Sequence, residues 1–142
     1  MTAKDPVQEV LKAAKSVLSN VNYEGSIPVT TTFNNVSDKY IILTVPSNDE
    51  SDSTDDHYIY DVTLRVEVMT EFITDEEQET PSNKIMEQVT QLLTDLEFFN
   101  ATLNGFEIPL INPLSGARDT QQENVSSLII KRKDFNLKVV QL

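Results

Sequence analysis

The chain has 142 residues, 39% of them apolar, a formal net charge of −12 and no cysteine. That length suits one domain, spanning residues 1–142, able to hide roughly 68–70% of its unfolded surface. The missing cysteine excludes disulfides, thiolate metal sites and thiol catalysis, and 23 acids against 11 bases argue against a general nucleic-acid binder, which must neutralise phosphates.

The predicted elements begin with a helix. Asp5 is placed to cap it, Pro6 suits its first turn, and Val7, Val10, Leu11, Ala14, Val17 and Leu18 fall on one helical face. After a loop holding Gly25 and Pro28, Val29 to Phe33 reads as a β-branched strand. Tyr40 to Val45 is an apolar run of strand length closed by Pro46, and Ser47 to Asp56 reads as a solvated loop. Tyr58 to Phe72 then alternates strictly. Tyr60, Val62, Leu64, Val66 and Val68 fall on one side, with Asp61, Thr63, Arg65 and Glu67 on the other. Fifteen residues would reach about 50 Å, so part of this strand is expected to project as one arm of a ribbon, paired with the Tyr40 strand or the chain end. A second acidic loop, Glu71 to Glu79, leads to a helix opened by Thr80-Pro81 and running to about Phe98. Asn104-Gly105 signals a hairpin turn with Phe106 to Ile108 returning, Pro109 to Gln122 reads as irregular, and Val125 to Leu142 as a broken strand or a hairpin turning near Lys133-Asp134. The sum is an α+β fold of two layers, with two helices on one face of a mainly antiparallel sheet of four to five strands.

The acidity is local. Residues 49–79 hold 12 acids and one base; the other 111 hold 11 acids and 10 bases. Met1 to Pro6 has no apolar leader pattern, and no stretch approaches the ~18 apolar residues of a membrane span, so the expectation is a chain made and used in a cytoplasm, with no membrane partner. The triplets at Asn35, Asn100 and Asn124 are then chance matches to a glycosylation site.

Catalytic chemistry is scarce. His57 is the only histidine, and three glycines leave little for a phosphate cradle, so no enzyme, cofactor or metal is expected. Asp49, Asp52, Asp55 and Asp56 offer oxygen ligands of the kind calcium prefers, but without the turn glycine and terminal glutamate of an EF-hand they read as a solvated loop. Lys131, Arg132 and Lys133 form a small basic cluster, read as a blunted strand edge, or as the complement of the acidic segment on an identical neighbour. Such a contact joins two different patches and closes into a ring.

The order helix, loop, strand Tyr40 to Val45, long strand Tyr58 to Phe72, helix Ser82 to Phe98 and late strands resembles phage tail-completion proteins, also called tail-terminator or head–tail joining proteins. The resemblance covers nearly the whole chain as pattern and order. It implies a structural virion protein, assembled in the host cytoplasm, forming a ring of its own copies around the path of DNA. A hexamer is favoured and a dodecamer is the alternative. Its partners would be other neck, connector or tail-tube proteins, with DNA passing without specific binding. The interface or lumen residues are then Asp49, Glu50, Asp52, Asp55, Asp56, Asp75, Glu76, Glu77, Glu79, Lys131, Arg132 and Lys133, and the loops Ser47 to Asp56 and Asn112 to Gln122 match contact loops by position. An acidic lining would repel DNA and let it slide. The alternatives are a non-enzymatic adaptor and an acidic DNA mimic, the latter disfavoured because its acids cluster around loops.

Overall fold

A computed structural model describes residues 3–31, 38–51, 58–73, 80–114, 116–122 and 126–142. The strand that organises the fold is β3 (Ile59–Ile73), the third of six; the first two are β1 (Val29–Thr30) and β2 (Lys39–Ser51). After β3 come β4 (Phe106–Pro113), β5 (Ala117–Gln122) and β6 (Ser126–Gln141), and the helices are α1 (Val7–Leu18), α2 (Thr80–Leu93) and α3 (Leu96–Ala101). The sheet order is β1-β2-β3-β6-β4, with β5 also on β6. Every pairing is antiparallel except β1 on β2.

Alternation in β3 does what its sequence dictates. Val62, Leu64, Val66 and Val68 are fully buried beneath the helices, where they join Ile41 and Leu43 of β2, and Phe135, Leu137 and Val139 of β6. The helices close this core with Val10, Ala14, Val17 and Leu18 of α1, Ile85, Val89 and Leu93 of α2, and Phe99 of α3. Asp61, Thr63, Arg65 and Glu67 point to the other face, which no helix covers among the described residues. On that face a smaller buried cluster of Tyr40, Ile42, Met69 and Ile130, flanked by Leu128, closes one end. The α+β, two-layer expectation holds, with a third helix and a sixth strand added.

Several local expectations are corrected. β3 has no free arm: β6 pairs with it from Ile59 to Ile73 and β2 from Ile59 to Thr70, so both proposed ribbon partners are used at once. β2 does not stop at Pro46. A register shift between Thr44 and Ser47 absorbs the proline on an edge that needs no N–H there, and the strand continues to Ser51. Ser47 to Glu50 are therefore strand, not loop; residues 52–57, with His57, lie outside the described residues.

At the other edge, residues expected to be irregular form β4, which carries Pro109 and Pro113, and β5, whose only apolar residue is Ala117. Both persist because β6 supplies their backbone partners. β6 itself is one unbroken strand through Lys133-Asp134, where a broken strand or a hairpin was expected. The second helix breaks at Thr94, where Asp95 accepts a hydrogen bond from the Phe98 N–H and starts α3. Asn104-Gly105, with Gly105 at φ 82°, turns α3 into β4 and is not a strand-to-strand hairpin. Of the strand expected over Val29 to Phe33, Val29 and Thr30 pair with β2 and Thr31 does not, while Thr32 and Phe33 lie outside the described residues. Pro6, not Asp5, is the α1 N-cap residue, although the Asp5 carboxylate accepts a bond of 2.9 Å from the Val7 N–H.

Leu64 sits at the centre of three paired strands with no exposed surface. Leu64→Ala should lower unfolding free energy by about 3–4 kcal/mol through lost burial and a retained cavity, whereas Leu110→Ala, on a side chain 46% exposed, should shift it by less than about 0.5 kcal/mol. Urea denaturation of both variants checks this.

Candidate functional site

The charged face of the sheet is built by register. β3 and β6 place oppositely charged residues directly across from each other three times: Asp61 opposite Lys138, Arg65 opposite Asp134, and Glu67 opposite Arg132. All three pairs close. The Arg65 guanidinium grips Asp134 with two bonds, Nε to Oδ1 at 2.9 Å and Nη2 to Oδ2 at 3.2 Å. Arg132 Nη2 donates to Glu67 Oε2 at 3.2 Å, and Lys138 lies 2.5 Å from Asp61. The sign reverses along each strand, so every cation has its own carboxylate. Asp134 holds the Arg65 pKa above its ordinary value chiefly through this hydrogen bond, against the opposing effect of burial.

At the end of the face away from the small apolar cluster the balance changes. Asp49 of β2 stands opposite Asp61, which already pairs with Lys138, and Glu50 follows on the helix side, opposite Tyr60. Asp49 and Glu50 are both exposed. The Tyr60 hydroxyl is held above the ordinary phenol value of 10.0 by burial first, then by the charges of Glu50 and Asp5. A phenol shifted upward stays protonated at neutral pH and offers neither a base nor a nucleophile. Along β4, Leu110 and Leu114 are each 46% exposed beside this face.

The basic cluster is divided. Successive strand residues point to opposite sides, so Arg132 joins the charged face while Lys131 and Lys133 lean toward α2. Lys131 Nζ donates to Asn83 Oδ1, and Lys133 Nζ donates to Thr90 Oγ1 at 3.2 Å and lies 5.8 Å from the centre of the Phe135 ring. Of the acidic candidates, Asp49 and Glu50 are placed together at the end of β2; Asp52, Asp55, Asp56, Asp75, Glu76, Glu77 and Glu79 lie outside the described residues. Lys131 and Lys133 therefore share the helix side, Arg132 lies opposite them, and by the same register Glu50 lies on the helix side and Asp49 on the charged face.

The sequence reading missed the ladder. Its signal was present, because the charges of β3 (−, +, −) run against those of β6 taken backwards from Lys138 (+, −, +), but β6 had to be recognised as a strand first. Among the described residues no group of three or more His, Cys, Asp or Glu side chains comes together in a way that holds a metal ion. Asn100 is engaged internally: its amide donates to the Leu96 and Ile108 carbonyls and accepts from the Ile108 N–H, tying α3 to β4. Two shallow depressions lie on the helix layer, one beside α3 lined by Asp95, Glu97 and Phe98, and one beside α1 lined by Gln8, Lys12, Lys15 and Thr31. No described helix is long and apolar enough to cross a membrane.

No protein-family model matches the chain, and no curated protein matches it. Among solved structures, a chain from the virion of a native gene transfer agent particle is similar over 88% of this chain and 84% of its own, at 12% identity and a TM-score of 0.48. A likeness of that size transfers no role.

Two measurements test the face. A double-mutant cycle on Arg65→Ala and Asp134→Ala should give a coupling of about 1 kcal/mol, reduced in high salt, because the pair is bidentate yet partly solvated. Tyr40 and Tyr60 both carry raised pKa values, Tyr40 through burial and then Glu71. The unfolded state loses these protons first, so their contribution to stability is complete below pH 10.0 and is lost as pH rises through the folded pKa values. Denaturant midpoints between neutrality and strong alkali, followed with phenolate absorbance, should fall only in the alkaline limb, and less steeply in Tyr60→Phe.

Proposed function

We propose that this protein is a structural virion component of a phage-like neck or tail, assembling with its own copies into a ring, a hexamer in the favoured case, that joins head connector and tail around the DNA path. The observation that carries the reading is where the polar chemistry of the described residues gathers: on a long, helix-free sheet face and at the ends of its strands. Strands of 15 and 16 residues paired along their length make a stiff plate suited to contacts between subunits. The element order that resembles tail-completion proteins adds the neck or tail position, and with it a non-enzymatic role, virion localisation, and connector and tail-tube proteins as neighbours.

The net charge fits a lining that DNA does not adhere to, with Asp49 and Glu50 as the described part of the candidate set and Asp52, Asp55, Asp56, Asp75, Glu76, Glu77 and Glu79 as the rest. The DNA-mimic alternative loses one objection and gains another. Asp49 and Glu50 lie on a strand and not on a loop, but Asp61 and Glu67, which would extend the acidic row, are already neutralised by Lys138 and Arg132.

Light scattering coupled to size exclusion, with negative-stain microscopy, tests the reading. A closed ring of fixed stoichiometry that is not retained on a duplex-DNA column is the expected result. A strict monomer at the highest soluble concentration that also fails to join purified connectors or tails would overturn it.

A further inference from the structure

The cations of this sheet fall into two kinds: Arg132 and Lys138 of β6 with Arg65 of β3, and Lys131 and Lys133 of β6. The former end on carboxylates, whereas Lys131 and Lys133 end on an amide oxygen, a hydroxyl and an aromatic face. Among the described residues no carboxylate lies within ion-pair distance of either lysine. Glu87, on the α2 stripe between Asn83 and Thr90, forms no ion pair with them. Two half-buried ammonium groups on one side of a strand, held by neutral acceptors, keep most of their charge for an external partner.

The molecule also presents the opposite charge, in the wrong place to reach them. Glu50 is in register with Tyr60, and Tyr60 with Val139. Val139 is eight residues along β6 from Lys131, about 26 Å at the strand rise of ~3.3 Å per residue. β2 and β6 also lie on opposite sides of β3. Asp49 and Glu50 of one copy therefore cannot neutralise Lys131 and Lys133 of the same copy.

We propose that they neutralise those of the next: the exposed end of β2, where Glu50 lies on the helix side and Asp49 on the charged face, docks on the Lys131/Lys133 shelf beside α2 of a second copy. The occupant is a second copy because the complementary charge is carried by this chain at the far end of the same plate. The contact joins two different patches, so it is head-to-tail, the kind of contact that builds a ring when the rotation between copies closes. Arg132 takes no part, although it sits between the two lysines in sequence, because it points to the other side of the strand, where its Nη2 pairs with Glu67. This inference rests on the ring reading and specifies its contact.

Charge reversal separates the two ideas. With a wild-type ring in hand, Lys131→Glu with Lys133→Glu, and independently Asp49→Lys with Glu50→Lys, should each weaken self-association about tenfold or more and remove its salt sensitivity. A chain carrying both pairs of reversals should reassemble, because its patches are complementary again with the signs exchanged. Arg132→Gln should lower the melting temperature and leave the stoichiometry unchanged. Melting curves confirm that each variant folds, and Lys131→Gln with Lys133→Gln replaces the Glu pair if that one does not. A ring that persists unaltered in both reversed pairs overturns the docking contact while leaving the ring reading intact. A wild-type chain that never associates, alone or with connectors and tails, overturns both.

Discussion

The fold depends on the two-residue period of β3. Because its even-numbered residues are apolar and its odd-numbered residues polar from Tyr60 to Val68, one side must meet the helices and the other must stay wet. A slip of one residue against β6 would send Leu64 and Val66 to the wet face, and would set Arg65 and Glu67 against the wrong partners. Burial on one side and ion pairing on the other therefore specify the same register. The ladder adds modest stability, and its larger effect is to penalise misalignment.

That shared constraint explains which parts of the architecture were legible. β3 and the first two helices declare themselves through apolar spacing, so the two-layer α+β arrangement follows from the sequence. β6 hides because Lys131, Arg132 and Lys133 interrupt its alternation: the two lysines occupy helix-side positions where an apolar residue is expected, and α2 offers them Asn83 and Thr90. β5 has no aliphatic pattern beyond Ala117, since an edge strand can be held by backbone bonds alone. Pro46 reads as a terminator, and becomes one only where an N–H is needed.

The candidate residues show the same limit. As a string, Lys131 to Lys133 is one basic patch; on a strand it is two lysines on one side and an arginine on the other. Alternation alone would have divided the cluster had the segment been recognised as strand. Conversely, Asp49 and Glu50 gain definition by moving from a loop to a paired strand, where neighbours fix their positions.

The prolines at the sheet margins have a consequence for timing. Pro46 lies on the β2 side, and Pro109 and Pro113 on the β4 side, each removing one backbone donor where a foreign strand would add. Asp49 and Glu50 place charge along the same β2 margin. Newly made chains at high local concentration are thereby discouraged from stacking edge to edge into fibres, the irreversible route open to long flat sheets. In the proposed assembly, recognition between copies would be left to side chains, whose contacts form and release quickly enough for a misplaced copy to leave before its neighbours lock it in.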